Sequence, residues 1–567
     1  MKKILFLFLL LVSFTSCKKF LTELPQNNYS DQTVFKTDQD ISYALNALYA
    51  QIGGLNDNPV AGAGLEYRSE FSYSQYTDDA FSRLGHSNLA FTPSDIDITN
   101  DYAWRYDAIR DCNEFILLAP GATLDPAKLK RYLAEARFIR AWHYDRLNFL
   151  FGDVPLLTAP TPANFFPKKA KRKKVFDFVT QELTEIASDL PLSYTSADIG
   201  RITSGAALAL KARHLLNAVD WYGDKAYLYS EARKAAEAVI TSNAYLLETG
   251  AAGFKKIFTF AEENGGSKDV ILNSNYDLSS RTHAYARCIL PKGAYSGSIP
   301  NNSNYIGITN NLVEAFQTLN GQDIHSGTSG YNQAKPWDNR DPRLDITVLR
   351  AGESIPKKGG NGTATYTYDA HPSIKPADGV TTDDVTQSAV NTTGYGFQKY
   401  QHFTFNAADQ DFIDYVMLRY SEVLLMYAEA VLEENGNIAL AMSYVDKVRT
   451  RVGMPTVATS YGAVSSVDQG LSIILQERRF EFATEGPQRF FDIRRYHLGE
   501  AILTDPIVYG IPLGPNRLPT ASVLEGSLDN SVKIIAGTHI FSASTYYLWP
   551  LPIDATTANP NLSLPAE

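Results

Sequence analysis

Apolar residues recur at helical spacing through both ends of the chain. In KLKRYLAEARFIRAWHYDRLNFLFGDVPL, Tyr132, Ala136, Ile139, His143, Leu147 and Leu150 follow one another at intervals of 4, 3, 4, 4 and 3. That is one face of an α-helix, and Gly152 and Pro155 predict its end. The same period runs through DISYALNALYAQI and through residues 100–118, 175–190, 203–219 and 229–242. After a long interruption it resumes at 412–434, 437–452 and 467–486.

The interruption, residues 244–411, is rich in Gly, Asn, Ser, Thr, Pro and Tyr and keeps neither a helical nor an alternating period for long. It predicts loops with short strands. A second such patch lies within residues 64–99. The expected organisation is a helical scaffold over about 36–243 and 412–500, with the two loop-rich stretches inserted as surface. The helix pairs resemble degenerate tetratricopeptide hairpins of about 34 residues, which bury their faces only by stacking on neighbours. They do not run in tandem, so the array has to be assembled across the sequence.

Met1-Lys2-Lys3, an apolar run from Ile4 to Val12, and small polar residues up to Ser16 predict an export signal over residues 1–16. The run is too short to span a bilayer, which takes about 20 residues. Cys17 directly after it resembles the acylated cysteine of bacterial lipoprotein signals, which implies a lipid anchor there. A single domain over 17–567 is expected after its removal.

Composition narrows the function classes. Apolar content of 44% and charged content of 20% are those of a folded chain, and a formal charge of −10 argues against nucleic acid. Cys112 and Cys288 could pair, but Cys112 falls inside a helical period and reads as a small buried residue. His143 lies on an apolar face without a ligand partner at helical spacing and reads as a hydrogen-bonded core histidine; no metal site and no cofactor are expected. No phosphate-binding loop, H-E-x-x-H or G-x-S-x-G is present, and Gly327-Thr328-Ser329-Gly330 falls one residue short of the last. Asp78-Asp79 and Asp383-Asp384 are acidic pairs, but glycoside hydrolysis needs carboxyls about 5–9.5 Å apart and adjacent residues usually diverge. No catalysis is expected.

The segment LQERRFEFATEGPQRFFDIRRY, residues 475–496, carries five arginines against three glutamates and one aspartate. Glu477, Arg478, Glu481 and Glu485 share a helix side with apolar neighbours, which predicts a buried ion-pair network, with Glu422 and Glu429 reaching its arginines.

Nine segments, among them AWRYDAIRDCNEFI, EARFIRAWHYDRLNFLFGDVPL, NNLVEAFQTLNGQD, YVMLRYSEVLLMYAEA, QERRFEFATEGPQRFFDIRRY and YLWPLPIDATTANPNL, together resemble the SusD/RagB family of outer-membrane nutrient-binding lipoproteins, and in the family's order. The resemblance implies a mainly α fold with four tetratricopeptide-like helix pairs packed against an irregular, loop-rich half with short strands. It implies capture of oligosaccharides at the outer cell surface, as a lid on a SusC-like, TonB-dependent β-barrel transporter. Some relatives bind peptides instead. A pure protein-interaction scaffold is the remaining alternative. Lys18 and Lys19 depart from the acidic flank expected after a surface-exported lipoprotein cysteine.

Sugars stack their C–H faces on aromatic rings and need hydrogen-bond partners for their hydroxyls. With 33 Tyr and 5 Trp in the chain, the loop positions that offer both are Tyr73, Tyr76, Asp79 and Arg83 in the first patch. In the second they are Tyr285, Tyr295, Asn304, Tyr305 and Trp337. Trp104, Trp142 and Trp549 lie in helical or closing motifs and are expected in the core.

Overall fold

The apolar faces read from the sequence meet in a stack of helices. The computed structural model describes residues 35–53, 70–82, 88–162, 164–195, 198–259, 266–277, 281–296, 304–358, 364–370, 383, 385, 391–401, 403, 411–513 and 529–567. Cys17 and Arg83 lie outside these. The longer helices are α1 (Asp38–Tyr49), α2 (Ile96–Leu118), α3 (Pro126–Phe151), α4 (Arg172–Ile186), α5 (Ser204–Leu216) and α6 (Lys225–Thr241). A short α7 (Asn310–Ala315) follows, then α8 (Tyr420–Asn435), α9 (Ile438–Thr450), α10 (Val467–Glu481) and α11 (Gln488–Arg495). Each of α2 to α5 packs on the next, α6 packs on α8 across the interruption, and α8 and α9 pack on each other and on α10. The array is thus closed by elements some 200 residues apart in sequence.

Local chemistry sets the helix ends. Asp125 accepts hydrogen bonds from Ala127 N and Lys128 N ahead of Pro126 at the first position of α3, and Gly152, at φ 72°, ends it. The predicted face of α3 is buried along its whole length, as are Arg140, Asp145 and Arg146 on its other sides. These charges are tolerated because each is paired: Arg140 with Glu182, Asp145 with His214, and Arg146 with Glu70. Trp104, Trp142 and Trp549 are buried as expected.

The periodic segment from 412 does not start as a helix. Residues Tyr415–Arg419 form strand β8, buried on both faces, and α8 begins only at Tyr420. An apolar run of this kind serves either element, and the antiparallel partner Val270–Ser274 decides it. The strands in chain order are β1 (Ala80–Ser82), β2 (Val270–Ser274), β3 (Ile306–Ile308), β4 (Val348–Leu349), β5 (Ser354–Pro356), β6 (Thr365–Thr367), β7 (Gly396–Phe397), β8, β9 (Ile507–Leu513) and β10 (Asp529–Thr538). They form antiparallel pairs, β1 with β3, β2 with β8, β4 with β7, β5 with β6 and β9 with β10.

The charged segment forms the buried network. Glu477 pairs with Arg343 at 2.6 Å and Arg449 at 2.8 Å, while Glu481 pairs with Arg343, Arg419 and Arg451. Glu485 takes Arg419 and Lys399. Burial raises the Glu481 carboxyl, but the three guanidinium groups outweigh it and hold it well below the usual carboxylate range. Glu429 meets Arg495 of this segment, whereas Glu422 pairs with Arg213 of α5 instead. Cys112 and Cys288 are both buried and form no disulfide with each other. His143 is buried edge-on to Trp104 at 5.4 Å, and burial with the charges of Arg105 and Arg146 keeps it neutral. The backbone of Gln51, as a hydrogen-bond partner of the ring, acts weakly the other way.

Gly486 joins α10 to α11 at φ 127°, and a Cβ there would collide with the Tyr415 hydroxyl and crowd Glu70 O at 3.1 Å. Gly486→Ala is therefore expected to destabilise the fold by about 2–3 kcal/mol, read as a lower midpoint in chemical denaturation. An unchanged midpoint would contradict this packing.

Candidate functional site

The segment before β1 is fixed from beneath. Arg146 Nε and Nη2 each donate to Glu70 at 2.8 Å, Tyr73 OH donates to Asp101 at 3.0 Å, and Tyr76 OH donates to Asp97 at 2.7 Å. The chain then continues through Asp78 and Asp79, both buried. These adjacent carboxyls do not diverge. Arg489 Nε donates to Asp78 Oδ1 at 2.9 Å, Arg479 Nε donates to Asp79 Oδ1 at 2.8 Å, and Arg479 Nη2 also lies 2.9 Å from Asp78 Oδ2. Burial pushes both carboxyls up. For Asp78 the two guanidinium groups win and hold it at about 2, whereas Asp79, with its neighbour's charge added to burial, is raised.

Asp78 opens onto a cleft of about 410 Å³. Its second wall is α7: Thr309 donates to Asp78 O at 2.6 Å, caps α7 by accepting from Leu312 N, and leads Asn310, Asn311 and Glu314 into the cleft. The third wall is the segment from Ala501 with the β9–β10 hairpin, which supplies Asp505, Tyr509, Lys533 and His539. Alternation along β9 buries Val508 and leaves Tyr509 39% exposed, the aromatic residue of the lining. Lys533 Nζ bridges the hairpin to Glu314 at 2.6 Å. Asp505 accepts from Ile507 N at 2.9 Å, and His539, lowered by burial, lies 3.0 Å from Leu503 O.

The buried charges of this cleft are committed to one another, Arg479 to Asp78 and Asp79 and Lys533 to Glu314, while Asp505 at the rim keeps a carboxylate held, among the described residues, only by Ile507 N. The rest of the lining is hydroxyl, amide, the His539 imidazole, aliphatic side chains and one tyrosine ring, a mixture that suits a polyhydroxylated ligand with hydrogen-bonding groups and C–H faces. Among the described residues no cluster of His, Cys, Asp or Glu could hold a metal ion, and no helix is long and apolar enough to cross a membrane.

Two family models match the chain. One described as the SusD family covers residues 268–564, and one described as starch-binding, associating with the outer membrane, covers residues 19–216. The chain belongs to the SusD family. Among curated SusD-family relatives, SusD-like protein P2 of Formosa agariphila is 24% identical over 99% of this chain and 98% of its own. A solved SusD-like carbohydrate-binding protein from Bacteroides fragilis superposes at a TM-score of 0.75, with 23% identity over 94% of this chain and 100% of that one. Surface glycan-binding protein A from Bacteroides uniformis superposes at 0.60, with 19% identity over 93% and 98%.

Within this SusD-family fold, most of the aromatic positions proposed from the sequence are interior. Tyr73 stacks on Phe490 at 5.3 Å, and Tyr76 packs against Phe91 and Trp549. Tyr285 meets Phe71 edge-on at 4.6 Å, and Tyr295 donates to Ala286 O. Tyr305 OH touches Cys288 Sγ at 3.0 Å, and Asn304 Nδ2 donates to the buried Asp383 at 2.9 Å. All six are less than a tenth exposed. They are buried because the loop-rich half has few regular elements and fills its interior with tyrosine. Asp79 lies beside the cleft. Trp337 is half-buried, with the Arg350 guanidinium 4.5 Å from its ring and Tyr395 edge-on at 5.9 Å. Its loop is fastened to α7 by Arg340, which donates to Val313 O and Phe316 O. Sequence pattern alone does not single out Asn310, Asn311, Arg479 or Tyr509. The asparagines open a segment that carries the family resemblance and Arg479 sits in a charged run that reads as architecture, while the strand alternation around Tyr509 is the available signal.

Proposed function

We propose that this protein captures neutral oligosaccharides at the cell surface, with the cleft between Asp78, α7 and the β9–β10 hairpin as a binding site and Trp337 as a flanking platform. The observation that carries the reading is the pairing of the cleft's buried charges with one another, which leaves fixed hydrogen-bonding groups and one exposed tyrosine ring for hydroxyls and C–H faces. The carbohydrate-binding and glycan-binding relatives support it. The sugar is bound without being cleaved and is handed to a SusC-like, TonB-dependent β-barrel. Acylation at Cys17 tethers the protein to the outer membrane on its exterior face, beside that barrel.

Calorimetry against a panel of neutral and charged oligosaccharides tests the binding. Heat with at least one neutral glucan or related glycan, and no reducing-sugar release over hours, is expected. No heat with any glycan, or turnover of one, would overturn the reading.

A further inference from the structure

One surface feature is unused by the cleft. Phe165-Phe166-Pro167-Lys168-Lys169-Ala170-Lys171-Arg172-Lys173-Lys174 places two phenylalanines and six basic residues in ten positions of a chain whose formal charge is −10. Phe165 and Phe166 are 51% and 52% exposed. Lys169, Lys171 and Lys174 have no acidic partner among the described residues, although Lys168 pairs with Glu567 and Lys173 with Asp177. The loop is held rigidly. Asn561 Nδ2 donates to Phe166 O at 2.7 Å, Asn559 Nδ2 to Pro167 O at 2.8 Å, Glu567 N to Lys169 O at 2.9 Å, and Lys171 N to Glu567 O at 3.0 Å.

The fold gains nothing from the Lys171 and Lys174 side chains, although Arg172 packs over Trp221 and Lys173 over Tyr222. Lys171 stands at the N-cap of α4 and Lys174 in its first turn, where the helix dipole repels cations; Asp177 offsets Lys173 and Asp153 accepts from Arg172 N, but neither pairs with Lys171 or Lys174. Two adjacent exposed phenyl rings likewise stay in water. We propose that this loop is a membrane-contact surface, which rests its lysines on anionic lipid headgroups and inserts Phe165 and Phe166 at the interface. Anionic headgroups neutralise the repelled lysines, and a soft interface takes up a small apolar tip ringed by cations without needing a shaped pocket.

The proposal rests on the membrane-tethered reading only for its setting. Protein lacking residues 1–17, which keeps every element described above, is used so that no anchor can supply the binding. Co-sedimentation is measured with vesicles of phosphatidylcholine alone and of phosphatidylcholine mixed with phosphatidylglycerol. Binding to the anionic vesicles only is expected, with loss at about 0.5 M salt. Lys171→Glu with Lys174→Glu should weaken it on the order of a hundredfold, and Phe165→Ser with Phe166→Ser about tenfold. Lys130→Glu with Lys335→Glu makes the same charge change at exposed sites elsewhere and should leave binding within about twofold. Each arm is exposed and independent, so a poorly folding variant in one leaves the other. Equal binding to both vesicle types, no binding to the anionic ones, or equal effects of the loop and control reversals would overturn the proposal. Loss of vesicle binding with retention of an acidic protein partner would do the same.

Discussion

Glu481→Gln is expected to cost about 3–5 kcal/mol of folding stability, the largest effect of any single exchange considered for this chain. The side chain is fully buried, and its carboxylate faces Arg343, Arg419 and Arg451 at once. The variant keeps the shape and removes the charge, so three buried cations lose a shared counter-ion. Their remaining partners, Asp341 and Glu477 for Arg343, Glu485 for Arg419, and Asp269 for Arg451, cannot replace it. Chemical denaturation measures the loss, and a change under about 1 kcal/mol would mean that the network is redundant. Acid should act on the same group. Its folded value lies below the ordinary 4.5, so its contribution is complete above that pH and is lost as pH falls below it toward the folded value. The variant should therefore show a shallower loss of stability below pH 4.5 than the parent does.

The second large effect falls on binding. Tyr509→Ala with Asn311→Ala should weaken the best glycan of the calorimetric panel about hundredfold, through loss of a stacking ring and of an amide that sits 3.4 Å from Asp78 Oδ2. Tyr509 is 39% exposed on a strand, and Asn311 is exposed at the start of α7, so the melting temperature should hardly move. Trp337→Ala should cost less, because the ring is half covered by Arg350 and Tyr395. Undiminished affinity in the double variant, with Trp337→Ala abolishing binding, would move the site to the far side of α7.

The scaffold was legible because its signal is local. Tyr132 to Leu150 on α3 and the Ala-rich faces of α5 and α6 announce their burial by period alone, and the family segments fix the order in which the pieces meet. The Glu477–Glu485 ladder was legible for a related reason, since charges spaced among apolar residues on one helix side have to find partners. The exchange of Glu422 to Arg213 was not, because the choice between two buried arginines depends on how α5 and α8 cross. The site was less legible still. Tyr73, Tyr76, Tyr285 and Tyr305 have the composition of a sugar platform and the environment of a core, and composition does not report environment. The cleft draws on residues 77–78, 309–314, 479 and 501–539, which no single sequence window contains.

Phe81, Val508 and Ala536 form an apolar cluster of their own, separate from the main core. The hairpin that walls the cleft is thus held partly by this small cluster and joins the main core through Ile511 and Ile534. Such a unit can detach without melting the helices beneath it. Its backbone amides, Val508 to Ile511 and Lys533 to Thr538, should trade protons for deuterons orders of magnitude faster than those of α3 or α8. An occupant bridging Tyr509 to Asn310 would slow that trade on the hairpin alone, so occupancy of the cleft could be followed by mass spectrometry even for a sugar whose heat of binding is close to zero.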